Sequence, residues 1–307
     1  WFLVAIIYHG KFLRRDCGKM LESKSDKIFS LVVYIILSIF GLSIIMPFLN
    51  LLATSLSDQV AVSNGSVSFW PKNFTWSAYQ FVIQNNQFWN GLKTTVFVTL
   101  VGTTLALMVT TLAAYPLSLP KFKARKFFLV IFIIVMLFNG GLIPTYLLIN
   151  QLGLRNNRWA LILPSLISTY NMLLVKNYFE TLPEALYESA KIDGATEFQI
   201  FIKITLPLSL PTLATVALFY AVGFWNAYVN GMLYISTPSK MPLQTYLQTL
   251  LNMAYIPAHE LSPEVAESLS TESIRAATIF SATIPILVLY PFLQKYFVKG
   301  LVLGSDK

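Results

Sequence analysis

TLPEALYESAKIDGATEFQIFIKITLP, from Thr181 to Pro207, combines strong helix punctuation with too little apolar length to cross a bilayer. Thr181 followed three residues later by Glu184 is a capping-box pattern, with Pro183 tolerated in the first turn of the helix it opens. The spacing predicts a helix through Ala185, Leu186, Tyr187, Glu188, Ser189 and Ala190 to about Ile192. Asp193-Gly194 then reads as a turn, because glycine adopts backbone angles that a side chain forbids. Thr196 with Gln199 starts a second short helix through Phe198, Phe201 and Ile202, and Pro207 interrupts it. This helix–turn–helix is expected at a membrane surface, with Leu186, Ala190, Phe198 and Phe201 needing an apolar partner.

The flanks explain the membrane. No Asp, Glu, Lys or Arg occurs in 159–175 before the hairpin or in 204–239 at its end. The same holds for 28–57, 94–120, 127–154 and 276–294. Each stretch reaches, or nearly reaches, the roughly 20 apolar residues that a bilayer-spanning helix needs. Two other uncharged windows, Asn73–Leu92 and Met241–His259, are rich in Asn, Gln, Trp and Tyr and read as interfacial or loop segments. The expectation is an all-α integral membrane protein with six spans. Composition agrees: the 307 residues are 55% hydrophobic and only 12% charged, against about 25% for an ordinary soluble domain.

The basic residues set the orientation. Lys11, Arg14, Arg15, Lys19, Lys24 and Lys27 precede the first span; Lys121, Lys123, Arg125 and Lys126 join the second to the third. Lys191 and Lys203 lie between the fourth and fifth, and Lys295, Lys299 and Lys307 follow the sixth. The other side has Lys72, Arg155, Arg158 and Lys240, and its longest loop is acidic through Glu260, Glu264, Glu267 and Glu272. Both termini are therefore predicted to be cytoplasmic. The net charge of +8 is strung along alternate loops, which makes no nucleic-acid patch. Residues 1–27 read as a cytoplasmic or interfacial segment, since Trp1–Tyr8 is too short to span, and 28–307 as one membrane domain.

Some chemistry is excluded. There is no Gly-x4-Gly-Lys-Ser/Thr phosphate loop, and His9, His259 and the lone Cys17 make neither a metal site nor a Cys–His nucleophile. The charge-free stretches lack the intramembrane acids and bases of proton-coupled carriers, so the driving force comes from elsewhere. Helix breakers occur at Pro47, Pro116, Asn139-Gly140-Gly141 with Pro144, Pro164, Pro285 and Pro291. Asn139, Gly140 and Gly141 are expected to unwind the third span and are candidates for lining a pathway. Trp225, Asn226 and Tyr228 in the fifth span pair aromatic rings with an amide, which suits a sugar or an interfacial belt. In the second span, Gly102, Thr103, Thr104, Ala106, Thr110, Thr111, Ala113 and Ala114 permit close helix approach.

Glu188-Ser189-Ala190, with Gly194 six after the Glu, Ile204 sixteen after it and Leu206-Pro207 closing the pattern, resembles the EAA loop. That loop marks the membrane-spanning permeases of binding-protein-dependent ABC importers. The middle Ala of the motif is Ser189 here, which keeps the residue small. Asn139–Tyr146, Trp225–Tyr228 and Lys299–Gly304 are similar to the carbohydrate branch, above all the maltose-type second permease and its oligosaccharide relatives. The resemblance implies a type I importer permease fold whose coupling loop, about 181–206, docks on an ATPase through Glu188, Ser189, Ala190, Asp193, Gly194, Ile204 and Pro207. It also implies a second, homologous permease, two ATPases that hold the ATP and Mg, and an extracytoplasmic sugar-binding protein. The chain itself would be a non-catalytic subunit of the bacterial cytoplasmic membrane with no cofactor of its own. A polyamine or anion permease shares the EAA loop, so cargo rests on the flanking motifs. A secondary carrier is disfavoured by the missing intramembrane charges, and a membrane enzyme by the missing catalytic constellation.

Overall fold

The computed structural model describes residues 24–138, 140–252 and 270–302. Readings that fall on residues 1–23, on Asn139, on His259, Glu260, Glu264 and Glu267, and on 303–307 lie outside them. Every regular element among the described residues is helical. They are α1 Lys24–Ser55, α2 Gln59–Ser63, α3 Ser77–Gln84, α4 Asn86–Ser118, α5 Arg125–Leu137, α6 Leu142–Gln151 and α7 Trp159–Ile162. These are followed by α8 Thr169–Glu180, α9 Glu184–Ile192, α10 Glu197–Ile200, α11 Leu206–Leu208, α12 Leu210–Trp225, α13 Tyr228–Tyr234, α14 Leu243–Asn252 and α15 Thr271–Val302.

The described residues fall into two compact units. The first contains those up to Val82 and Ser270–Phe280. Its α1 holds Pro47 without a break and exposes apolar side chains from Ile28 to Leu49. Ser270 starts α15: its Oγ accepts from Ser273 N at 3.0 Å, and Ile274 on the next turn is buried.

The second unit contains Ile83–Asn252 and the residues from Ser281 onward. It is organised around α4, whose 33 residues extend about 50 Å at 1.5 Å per residue. Asn85 caps it, accepting from Gln87 N at 2.8 Å and Phe88 N at 3.3 Å. The helix thus begins inside Asn73–Leu92, a window that reads as interfacial from sequence, because the Asn85 cap satisfies amides that otherwise need water. Gly102, Ala106, Thr110 and Ala114 form a buried stripe at four-residue spacing. The Phe224 ring of α12 lies 2.9 Å from where a Gly102 Cβ would stand, so the small residues do set the approach of these helices. Lower down, the Thr110 and Tyr220 hydroxyls meet at 2.7 Å.

Among the described residues, two helices are long and apolar enough to cross a membrane, Ile28–Ser55 and Asn86–Ser118, or up to five if each of three bent pairs is one span. The charge-free stretches 127–154, 159–175 and 204–239 fall on those bent pairs, and 276–294 lies inside α15. The bends are 111° between α5 and α6, 50° before α8 and 80° before α12. Pro116 and Pro285, like Pro47, sit in continuous helices. The third bend is at Ser209, not at Pro207 as the sequence suggests. Phe201–Thr205 is a π-turn that leads straight into Pro207, and such a register shift relieves the carbonyl that proline would otherwise oppose.

The window Met241–His259 reads as interfacial or loop from sequence, and its described part is mostly helical. α14 buries Leu243, Tyr246, Leu247 and Leu250, the i, i+3, i+4, i+7 spacing of an amphipathic helix. It seats on α4, where Leu243 N donates to Thr95 Oγ1 at 2.8 Å.

Candidate functional site

The hairpin forms where the sequence places it, with one local correction. Thr181 does not open α9. Its Oγ1 donates to Tyr178 O at 2.7 Å and it closes α8, so the cap of α9 falls to Pro183. Only Thr181, Leu182 and Pro183 separate the two helices, and Thr181, the C-cap of α8, keeps helical backbone angles with its hydroxyl pointing back. The turn is a full Schellman arrangement: Ala195 N donates to Ala190 O at 2.9 Å and Gly194 N to Lys191 O at 3.1 Å. Gly194 has φ +78°, the left-handed conformation this motif requires. The second capping box is complete, with Gln199 N on Thr196 Oγ1 and Thr196 N on Gln199 Oε1.

One face of the hairpin is seated on the end of α4. Tyr115 OH donates to Glu197 Oε2 at 3.1 Å, and its ring lies 4.9 Å from that of Phe201. Lys191 Nζ pairs with Glu197 at 2.5 Å across the turn. That hydrogen bond holds the Glu197 carboxyl below its ordinary pKa, against the opposing effect of burial. Ala190, Ile200 and Phe201 are buried here, so Ala190 and Phe201 find their apolar partners within the chain, contrary to expectation.

The other face is open. Leu186 is 38%, Ile192 86%, Phe198 64% and Ile202 45% exposed, beside exposed Glu188, Ser189 and Asp193. Ser189 Oγ returns to Leu186 O at 3.2 Å. Ile204 is half-buried in the π-turn and Pro207 is exposed. A cleft of about 390 Å³ lies behind α9, lined among others by Lys121, Arg125, Phe179, Glu184, Glu188 and Lys191. At its edge Glu180 bridges Arg125 of α5 and Lys176 of α8, the latter at 2.8 Å. Lys176 is a buried lysine just past 159–175, carried into α8 because that helix runs on to Glu180. Lys176 and Glu180 form an i, i+4 pair on α8, but no local sequence pattern announces the third member, Arg125, which lies on α5.

The second candidate group surrounds the breaks near Gly141 and Asn226. Gly140 is exposed, and Gly141, at φ +87°, precedes α6. Trp225 is 7% exposed, and its indole N–H has no hydrogen-bond partner among the described residues. Asn226 is exposed, its amide donating to Val222 O at 3.0 Å, and Tyr228 is 41% exposed. Helix α6 meets α13 through stacked Tyr146 and Tyr234, 6.3 Å apart, which brings the two broken segments together. Because Phe224 packs at Gly102 and the hairpin at Tyr115, the two groups stand about 20 Å apart along α4.

Comparison with known proteins places the whole chain in a family. The family model for the binding-protein-dependent transport system inner membrane component matches residues 17–303. The chain is 41% identical over 288 residues to protein LplC of Bacillus subtilis (strain 168), covering 94% of this chain and 98% of that one. It is 38% identical over 283 residues to the polygalacturonan/rhamnogalacturonan transport system permease protein YtcP of the same organism, covering 92% and 99%. Among solved structures, it matches a chain of a bacterial ABC transporter involved in the import of the acidic polysaccharide alginate. There the TM-score is 0.86 and the identity 34%, with 91% of this chain and 100% of that chain covered. The chain belongs to the inner membrane component family of binding-protein-dependent transport systems.

Proposed function

We propose that this chain is the permease subunit of an ATP-driven ABC importer and that it carries an oligosaccharide. The observation that carries the reading is the hairpin 181–207: a capped, rigid unit seated on α4 by Tyr115 and Phe201, with Leu186, Ile192 and Phe198 exposed. An apolar face of this kind needs a protein groove or lipid, and an ATPase groove is the occupant the EAA spacing implies. Glu188 and Asp193 flank that face, Gly194 sets the turn, and Ile204 and Pro207 connect it to α12. In this reading the chain has six spans with both termini in the cytoplasm and pairs with a second, homologous permease. Two ATPases below hold the ATP and Mg, so this chain binds no cofactor and catalyses nothing.

Closing of the ATPases on nucleotide moves α9 and α10 as one body, and Tyr115 transmits the motion to α4. Some 20 Å along that helix, the breaks at Gly140 and Gly141 and at Trp225, Asn226 and Tyr228 line the pathway, to which the sequence adds Asn139. The unpaired Trp225 N–H is a donor whose acceptor is water or a cargo hydroxyl, since a buried unmet donor costs about 1–3 kcal/mol. A binding protein delivers cargo from outside. The sugar reading agrees with the transport named for YtcP.

The test is purification from the native membrane followed by ATP-dependent uptake in vesicles. An ATPase, a second permease and a binding protein should co-purify, and oligosaccharides should compete with labelled cargo. Competition only by polyamines or inorganic anions would retain the importer and reject its cargo. Recovery of the chain alone, under conditions that preserve a known ABC complex, would favour a secondary carrier.

A further inference from the structure

The segment between α2 and α3 carries four exposed aromatic side chains that the importer reading does not use. Phe69 is 46% exposed, Trp70 82%, Phe74 57% and Trp76 57%. A mobile loop would hide such rings or leave them to wander; this one is strapped to the end of α1. Asn50 Nδ2 donates to Ser68 O at 2.7 Å, and Lys72 N donates to Ser57 Oγ at 3.0 Å. Asp58 N donates to Lys72 O at 3.2 Å, and Thr75 N to Leu56 O at 3.0 Å. Phe74 and Trp76 further brace each other edge to face at 5.5 Å.

The strap fixes depth as well as shape. From Ile28, the first apolar residue of the span, to Asn50 is about 33 Å along a helix. The hydrocarbon core of a bilayer is about 30 Å thick. Asn50, and with it Ser68, therefore stands at the far edge of the core when α1 crosses the membrane. Leu56, and with it Thr75, stands about 9 Å further out, within the head-group layer. Phe69 to Trp76 are held between these levels, and Ile45, Phe48 and Leu49 on α1 are exposed apolar residues as well. Lys72, the sole Asp, Glu, Lys or Arg between Asp58 and Lys93, lies among them and is exposed.

We infer that residues 68–76 are a preformed anchor that inserts Phe69, Trp70, Phe74 and Trp76 into the head-group layer of the membrane leaflet at the end of α1. Indole and phenyl rings at this depth place their apolar bodies against acyl chains while the indole N–H reaches water or phosphate. Lys72 supplies a charge for lipid phosphates. The inference rests on Ile28–Ser55 as a span and is independent of the cargo.

The test is fluorescence of the full chain in phosphatidylcholine vesicles whose acyl chains carry bromine either near the head group or near the chain end. The emission that Trp70→Phe removes should be quenched at least twofold more strongly by the shallow bromines than by the deep ones, and weakly by aqueous iodide. Quenching of that emission by iodide and not by bromolipid would place Trp70 in water and overturn the anchor. Insensitivity to both would show a protein covering the loop and would overturn it equally. Trp76→Phe gives an independent reading if the first variant fails to insert.

Discussion

The hydroxyls of Thr110 and Tyr220 lie 2.7 Å apart in the buried seam between α4 and α12, and Tyr220 OH also accepts from Ser168 N at 2.9 Å. One phenol thus ties three helical segments together, its bond to Thr110 buried and its bond to Ser168 partly so. Tyr220→Phe removes that oxygen and leaves a hydroxyl and an amide unmet, which costs about 1–3 kcal/mol each where no relaxation occurs. The purified protein should show a lower thermal midpoint by circular dichroism. An unchanged midpoint would mean that Thr110 and Ser168 find other partners.

Gly194 separates backbone strain from contact with a partner. Nothing lies within 4 Å of a Cβ built there, yet φ is +78°. Gly194→Asn, which tolerates the left-handed conformation, should keep most ATP-dependent uptake. Gly194→Val should lose it, since a β-branched residue there costs more than the 1–2 kcal/mol or so of an ordinary side chain. Equal uptake by the two variants would remove the turn from the coupling path.

Gly231 is a contact-limited glycine on α13. A Cβ there would fall 1.9 Å from Thr245 Oγ1 and 3.1 Å from Pro242 Cδ. Gly231→Ala should destabilise by about 1–3 kcal/mol through overpacking. Adding Thr245→Ala removes the nearest atom and should restore part of the loss in the same unfolding measurement. No recovery would place the strain at the remaining close atoms, Thr245 Cβ at 3.0 Å and Pro242 Cδ at 3.1 Å.

Glu180 is the shared counter-charge of Arg125 and of buried Lys176. Glu180→Gln keeps the shape and removes the charge, so it should lower stability by about 1–3 kcal/mol, between the exposed and buried limits for ion pairs. Lys176→Met in that background should recover some of it, because the uncompensated ammonium is gone. A double-mutant cycle on unfolding midpoints reads the coupling.

The sequence announces elements wherever the physics is local. A capping box at Thr196, a glycine after Asp193 and long charge-free runs report backbone angles and solvent preference, and each appears in the structure. It misleads where a neighbour changes the local balance. Thr181 has the residue pattern of a cap but is consumed by α8, and Pro207 has the pattern of a break that a π-turn absorbs, moving the bend to Ser209. The spacing of Leu243, Tyr246, Leu247 and Leu250 was legible as a helix face, but the polar residues between them gave the window the look of a loop.

Apolar length, charge placement and the Glu188–Pro207 spacing by themselves determined a helical membrane chain with a surface hairpin and its family resemblance. These depend on composition and on residues a few positions apart. Tertiary structure decided which apolar residues of the hairpin stay open. Ala190 and Phe201 are buried, Phe201 against Tyr115 at the end of α4, whereas Leu186, Ile192 and Phe198 remain exposed. It also decided the Arg125–Glu180 pair, the Thr110–Tyr220 tie and the strap from Asn50 to Ser68. Each joins groups distant in the chain, and whether such groups meet depends on how whole helices pack, which no short window of sequence encodes.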